Sequence, residues 1–88
     1  MDFEEYDGKV HQWIDQVLAN REIDAGLTLE YSREIIEYGK NTGDCKLMGF
    51  GYYYRGETYY GLNDGAHFFD AMCKAISSLN QAGEWEMM

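Results

Sequence analysis

Residues 46–62 read KLMGFGYYYRGETYYGL, and how this stretch folds decides the architecture. Its composition departs from the rest of the chain, being rich in glycine and aromatic residues. Arg55-Gly56 has the form of a two-residue hairpin turn between Tyr54 and Glu57. In that register Tyr53 faces Thr58, Tyr52 faces Tyr59, Gly51 faces Tyr60 and Phe50 faces Gly61. Aromatic rings opposite glycines cover exposed strand backbone. The hairpin would place Phe50, Tyr52, Tyr54 and Tyr59 on one face and Leu47, Tyr53, Tyr60 and Leu62 on the other. A half-buried hairpin alternates apolar with polar. Both faces are aromatic here, so one packs on helices and the other is offered to a partner.

The flanking sequence reads as helix. Phe3, Tyr6, Val10, Trp13, Ile14, Val17 and Leu18 recur at three- and four-residue steps, with Asp2 as N-cap and Glu5 completing a capping box. Thr28 suits the cap of a second helix, with Tyr31, Ile35 and Tyr38 on one face and Gly39 as its stop. A strand over residues 34–40 is the rival reading of that segment. After the hairpin, Asn63 or Asp64 caps a third helix with Phe69, Met72, Ile76 and Leu79 as its buried stripe, ended by Gly83. The predicted fold class is α+β. It is a small single domain, residues 1–88, ordered α-α-β-β-α with a two-stranded antiparallel aromatic hairpin packed on the helices.

Eighty-eight residues leave room for one domain, and 45% hydrophobic residues supply a core. Sixteen acids against seven bases give a net charge of −9. Such a surface repels phosphates, which argues against direct nucleic-acid binding and against a membrane surface. The N-terminus has no basic region followed by an apolar one, so no leader is expected and the chain reads as cytoplasmic. Cys45 and Cys73 lack CxxC spacing and are expected as free thiols.

Catalytic and ligand motifs fail residue by residue. Around Gly39-Lys40-Asn41-Thr42, Glu34 stands where a phosphate loop needs its first glycine, and Asn41 where it needs Ser or Thr. Gly49-Phe50-Gly51 lacks the third glycine of a dinucleotide fingerprint, since Tyr54 occupies that place. The histidines and cysteines show no metal-ligand spacing, so no metal and no cofactor is expected. His67, Asp70 and Cys73 step along one predicted helix. A small enzyme using His67 and Asp70 is the second alternative reading, although residues 67 and 73 lie about 120° apart in azimuth.

Charge is distributed unevenly. Residues 1–44 hold eleven acids and four bases, and residues 45–88 hold five acids and three bases. Glu30, Glu34 and Glu37 repeat about every 5 Å along a helix axis, the same order as the charge spacing of a nucleic-acid strand. A file of carboxylates repels itself, and a positively charged groove relieves that repulsion. The sequence therefore predicts a non-enzymatic acidic protein. It would block a basic nucleic-acid-binding site on a larger protein or nucleoprotein complex through Asp15, Glu22, Asp24, Glu30, Glu34, Glu37 and the hairpin rings Tyr52, Tyr54 and Tyr59. In size, charge and lack of a catalytic motif the chain resembles, as a class, the small acidic inhibitors that bacteriophages make against host defence, such as DNA mimics and anti-CRISPR proteins. The alternative is a regulatory interaction module, a homodimer formed through the tyrosine hairpin.

Overall fold

Aspartates set the helix boundaries. In the computed structural model, which describes residues 6–83, the carboxylates of Asp24, Asp44 and Asp64 accept from the backbone N–H groups of Leu27, Leu47 and His67 at 3.1, 3.0 and 3.2 Å. Each satisfies one of the donors orphaned at a helix start. The helices are α1 (Gly8–Asn20), α2 (Ala25–Thr42), α3 (Cys45–Gly61) and α4 (Gly65–Ala82). Gly43 and Gly83 follow α2 and α4 in the left-handed region, at φ 71° and 74°, where a Cβ is costly. The connections are too short for anything but antiparallel neighbours. Contacts bear this out, with Gly49 meeting Leu79 and Gly56 meeting Met72, while Gly51 meets Ile36.

The α+β expectation is overturned. Residues 45–61 form a continuous helix, no strand occurs among the described residues, and the order is α-α-α-α. The glycines that suggested strand and turn are helix-packing positions. A Cβ on Gly51 would lie 2.5 Å from Ile36 Cγ1 and 3.0 Å from the Ser32 carbonyl of α2. A Cβ on Gly49 would lie 2.5 Å from Leu79 Cδ2 of α4. Two residues apart on a helix is about 200° of azimuth. Bare backbone on opposite sides lets α2 and α4 close in on α3 from both. Residues 55 and 56 are mid-helix, so the hairpin register falls, and no hairpin is present to carry a dimer.

The main core joins three helices: Val10, Ile14 and Val17 of α1, Ile35 of α2, and Leu47 and Phe50 of α3. Tyr6, Trp13, Tyr31, Tyr38 and Tyr54 pack around it, half-buried. The α3–α4 contact is built from smaller residues, with Ala71, Ala75, Ser78 and Leu79 buried. The predicted α4 stripe is thus turned. Leu79 is buried and Met72 partly so, but Phe69 and Ile76 are 69% and 45% exposed. Ala71, Ala75 and Ser78 take up little of this seam, and the two large residues in it, Met72 and Leu79, lie over Gly56 and Gly49.

Other boundaries move as well. α2 begins at Ala25 after Asp24, and Thr28 is a buried residue of its first turns whose hydroxyl donates to the Asp24 carbonyl at 2.9 Å. Gly39 is buried inside α2, where a Cβ would lie 2.7 Å from Met48 Cγ, and residues 34–40 are helix. Tyr6 and Asp7 precede α1, while the predicted cap Asp2, its partner Glu5 and Phe3 lie outside the described residues.

Two substitutions separate packing glycines from solvent ones. Gly51→Val forces atoms against Ile36 and a carbonyl, and is expected to cost about 2 kcal/mol or more. Gly61 has open space around it, so Gly61→Ala is expected to hold or raise stability by up to about 1 kcal/mol. Urea denaturation followed by circular dichroism measures both. Equal effects at the two positions would contradict the packing account.

Candidate functional site

α2 buries Thr28, Ser32, Ile35, Ile36 and Gly39 along one side. At about 100° per residue, Glu30, Glu34 and Glu37 fall on the opposite side within about 60° of one another. Glu30 and Glu37 are exposed and Glu34 is half-exposed. The row spans seven helical steps, about 10 Å of helix axis. Arg33 lies in it, with guanidinium nitrogens 3.6 Å from Glu34 and 3.8 Å from Glu37. Contacts of that length between solvated groups are worth about 0–1 kcal/mol. The row keeps more negative than positive charge.

The other predicted acids serve different ends. Asp15 is exposed on α1, and Glu22 is exposed in the α1–α2 connection. Asp24 is consumed as the cap of α2. Asp44 caps α3 with one oxygen and accepts from the Tyr6 hydroxyl with the other at 2.5 Å. Asp7 accepts from the Tyr38 hydroxyl at 3.2 Å. Asp2, Glu4 and Glu5 lie outside the described residues.

The three tyrosines do not share one face: Tyr52 and Tyr59, seven positions apart, lie on the α4 side and Tyr54 points away from them. Tyr52 lies under the Lys74 ammonium, 5.7 Å from ring centroid to Nζ. Tyr59 stacks on His67 at 4.8 Å and receives an Arg55 N–H at 3.3 Å. Tyr54 is turned toward α1, with Phe50 at 4.8 Å and the Arg21 guanidinium over its ring at 5.4 Å. A helix sends residues 52 and 54 about 200° apart, where strand pleating would align them. The three are half-buried and engaged within the chain.

His67 and Asp70 are not brought together as an acid–base pair. His67 Nδ1 lies 2.7 Å from Asp64 and Asp70 pairs with Lys74 at 3.1 Å. The His67 backbone N–H and its ring together hold the Asp64 carboxyl below its ordinary range. Cys45 and Cys73 are free thiols. Among the described residues no group of three histidine, cysteine or acidic side chains is placed to hold a metal ion. Among the same residues, no helix is long and apolar enough to cross a membrane.

One feature escaped the sequence reading. The α1–α2 connection and the end of α3 line an open concavity of about 490 Å³, bordered by Arg21, Glu22, Ile23, Glu57, Thr58 and Leu62 among others. Arg21 Nε meets Glu57 at 3.3 Å across thirty-five intervening positions, a separation at which no local pattern signals a pair. The local clue was Ile23, an aliphatic residue in a polar turn. No protein-family model matches this chain, and comparison with curated proteins and with solved structures finds no match.

The tyrosines set a pH limit on the fold. Burial holds the Tyr54 phenol above its usual range, with the Arg21 charge opposing and Glu57 reinforcing. The Asp7 charge, ahead of burial, raises Tyr38. A proton held more tightly when folded gives stability that is complete below the unfolded value, about 10, and lost as pH rises through the folded one. Urea midpoints are therefore expected to fall above about pH 10, and less steeply in Tyr54→Phe. An unchanged slope in that variant would remove Tyr54 from the account.

Proposed function

We propose that the protein is a non-enzymatic acidic binding protein. It uses the outer side of α2 to occupy a basic nucleic-acid-binding site on a larger protein or nucleoprotein complex. The observation that carries this reading is the row Glu30, Glu34 and Glu37, standing on the solvent side of a helix whose opposite side is core. None of the three caps a helix or bonds a neighbouring helix, so the fold has no evident need of them. Their mutual repulsion costs a few tenths of a kcal/mol per pair spaced at i, i+4, and a cationic groove reverses its sign. The net charge of −9 steers the approach to such a groove and speeds association at low salt. Carboxylates held on a rigid helix lose little freedom on binding, which distinguishes them from a flexible acidic tail. An inhibitor of the kind bacteriophages direct against host defence is the setting that suits this chemistry, and it implies a cytoplasmic site of action.

Charge reversal tests the row. Glu30→Lys combined with Glu34→Lys leaves the buried side of α2 untouched, so the helical circular dichroism and the thermal midpoint are expected to stay near wild type. The immobilised wild-type chain is expected to retain basic nucleic-acid-binding proteins at low salt, to release them as salt rises, and to lose them when duplex DNA is added. The double variant is expected to bind at least about tenfold more weakly, about 1.4 kcal/mol. Retention that DNA does not displace, or that survives the double reversal, overturns the reading.

A further inference from the structure

The cavity at the α1–α2 end has apolar lips and an acidic rim. Ile23 stands 84% exposed at one lip and Leu62 52% exposed at the other. Ile23 is the most exposed of the large aliphatic residues described and Leu62 the next, and both line the same concavity. Its volume, about 490 Å³, lies within the range of sites that take a ligand, about 300–1,000 Å³.

The charges decide what kind of occupant fits. Arg21 is satisfied by Glu57 at 3.3 Å and by the Tyr54 ring. Glu22 is exposed and, among the described residues, has no ion-pair or hydrogen-bond partner. The lining therefore carries one uncompensated negative charge. A second copy of the chain is the wrong occupant, because a two-fold contact would put the unpaired Glu22 on both sides of the interface between molecules that each carry −9. A cation with an aliphatic stem is the right one. An arginine side chain lays its methylenes on apolar surface and offers a carboxylate a planar pair of donors.

We propose that this cavity receives an arginine of the partner, held beside an apolar residue: the stem and its neighbour against Ile23 and Leu62, the guanidinium on Glu22. The inference rests on the reading that the partner is basic, but it invokes a different surface from the row on α2, so the two can fail separately. It adds to electrostatic steering a point of registry. A shaped pocket fixes where the acidic row lies on the partner, which long-range charge alone cannot do.

The test uses acetyl-Leu-Arg-Leu-amide as probe and the methyl NMR signals of Ile23, Ala25 and Leu62 as readout. Saturable shifts at these methyls are expected. Replacing the arginine of the probe by neutral citrulline, or Glu22→Gln in the protein, is expected to weaken binding about fivefold, the scale of one solvated charge pair. Ile23→Ser, at a position already in water, is expected to weaken it similarly without loss of stability. Glu30→Lys with Glu34→Lys is expected to bind the probe as wild type does, whatever becomes of partner capture. Equal affinity for the citrulline probe overturns the proposal, as does equal affinity of Glu22→Gln. Concentration-dependent shifts of Ile23 and Leu62 without probe would assign the end to a second copy and overturn it as well.

Discussion

Everything in this fold depends on how closely two helices can approach α3. Three buried glycines inside a helix cost about 3 kcal/mol in intrinsic propensity, so α3 is a poor helix taken alone. It is stabilised where Ile36 of α2 and Leu79 and Met72 of α4 press against the bare backbone at Gly51, Gly49 and Gly56. Close packing replaces the missing side chains with dispersion contacts, each small and together sufficient. The arrangement makes α3 conditional on both neighbours, which ties α2 and α4 into one cooperative unit although they lie on opposite sides of it. It also divides the interior into two kinds of packing. Large aliphatic and aromatic residues fill the space among α1, α2 and α3, while alanine, serine and glycine line the seam between α3 and α4.

The acidic composition has to be divided in the same spirit. Asp24, Asp44 and Asp64 stand twenty positions apart and begin three helices. Asp44 and Asp7 also anchor phenol groups that hold the residues before α1 against the rest. These carboxylates act inside the molecule and are not available as a uniform polyanionic coat. Among the described residues, what remains free is narrower than the net charge suggests: the outer side of α2, Glu22 and Asp15. Selectivity for one basic partner over another is easier to build from such a restricted surface than from charge spread over the whole molecule.

The elements with an ordinary amphipathic stripe were legible in the sequence. Val10, Ile14 and Val17 gave α1 its buried side, and Ile35 with its neighbours gave α2 its own. α3 was illegible because it is buried on two sides and carries no single stripe. Its glycines imitate turn residues, and its tyrosines imitate a strand. Only the tertiary approach of α2 and α4 reveals them as contact points. The face of α4 was misjudged for a related reason. Periodicity weights large apolar residues, whereas the seam against a glycine-bearing helix is centred on Ala71, Ala75 and Ser78 with Met72 and Leu79 over the glycines, leaving Phe69 and Ile76 outward. A legible sign was overlooked in the recurrence Asp24-x-x-Leu27 and Asp44-x-x-Leu47, in which a capping aspartate is followed by its backbone donor three positions on.

The two surfaces proposed for binding are linked through α2 itself. Ala25, its first residue, lines the cavity, and Glu30 begins the acidic row five residues later, about 7.5 Å along the axis. A helix packed on both α1 and α3 holds that separation fixed. Two contacts that are each weak, one a solvated charge row and the other a shallow pocket, then add with no linker to order and little side-chain freedom to lose. A partner that matches only the charge gains steering without registry, and one that matches only the pocket gains registry without a fast approach. In this proposal the spacing along α2 would act as the selective element, and the pocket, lined in part by the end of α3, would keep its place only while Gly51 lets α3 lie close against α2.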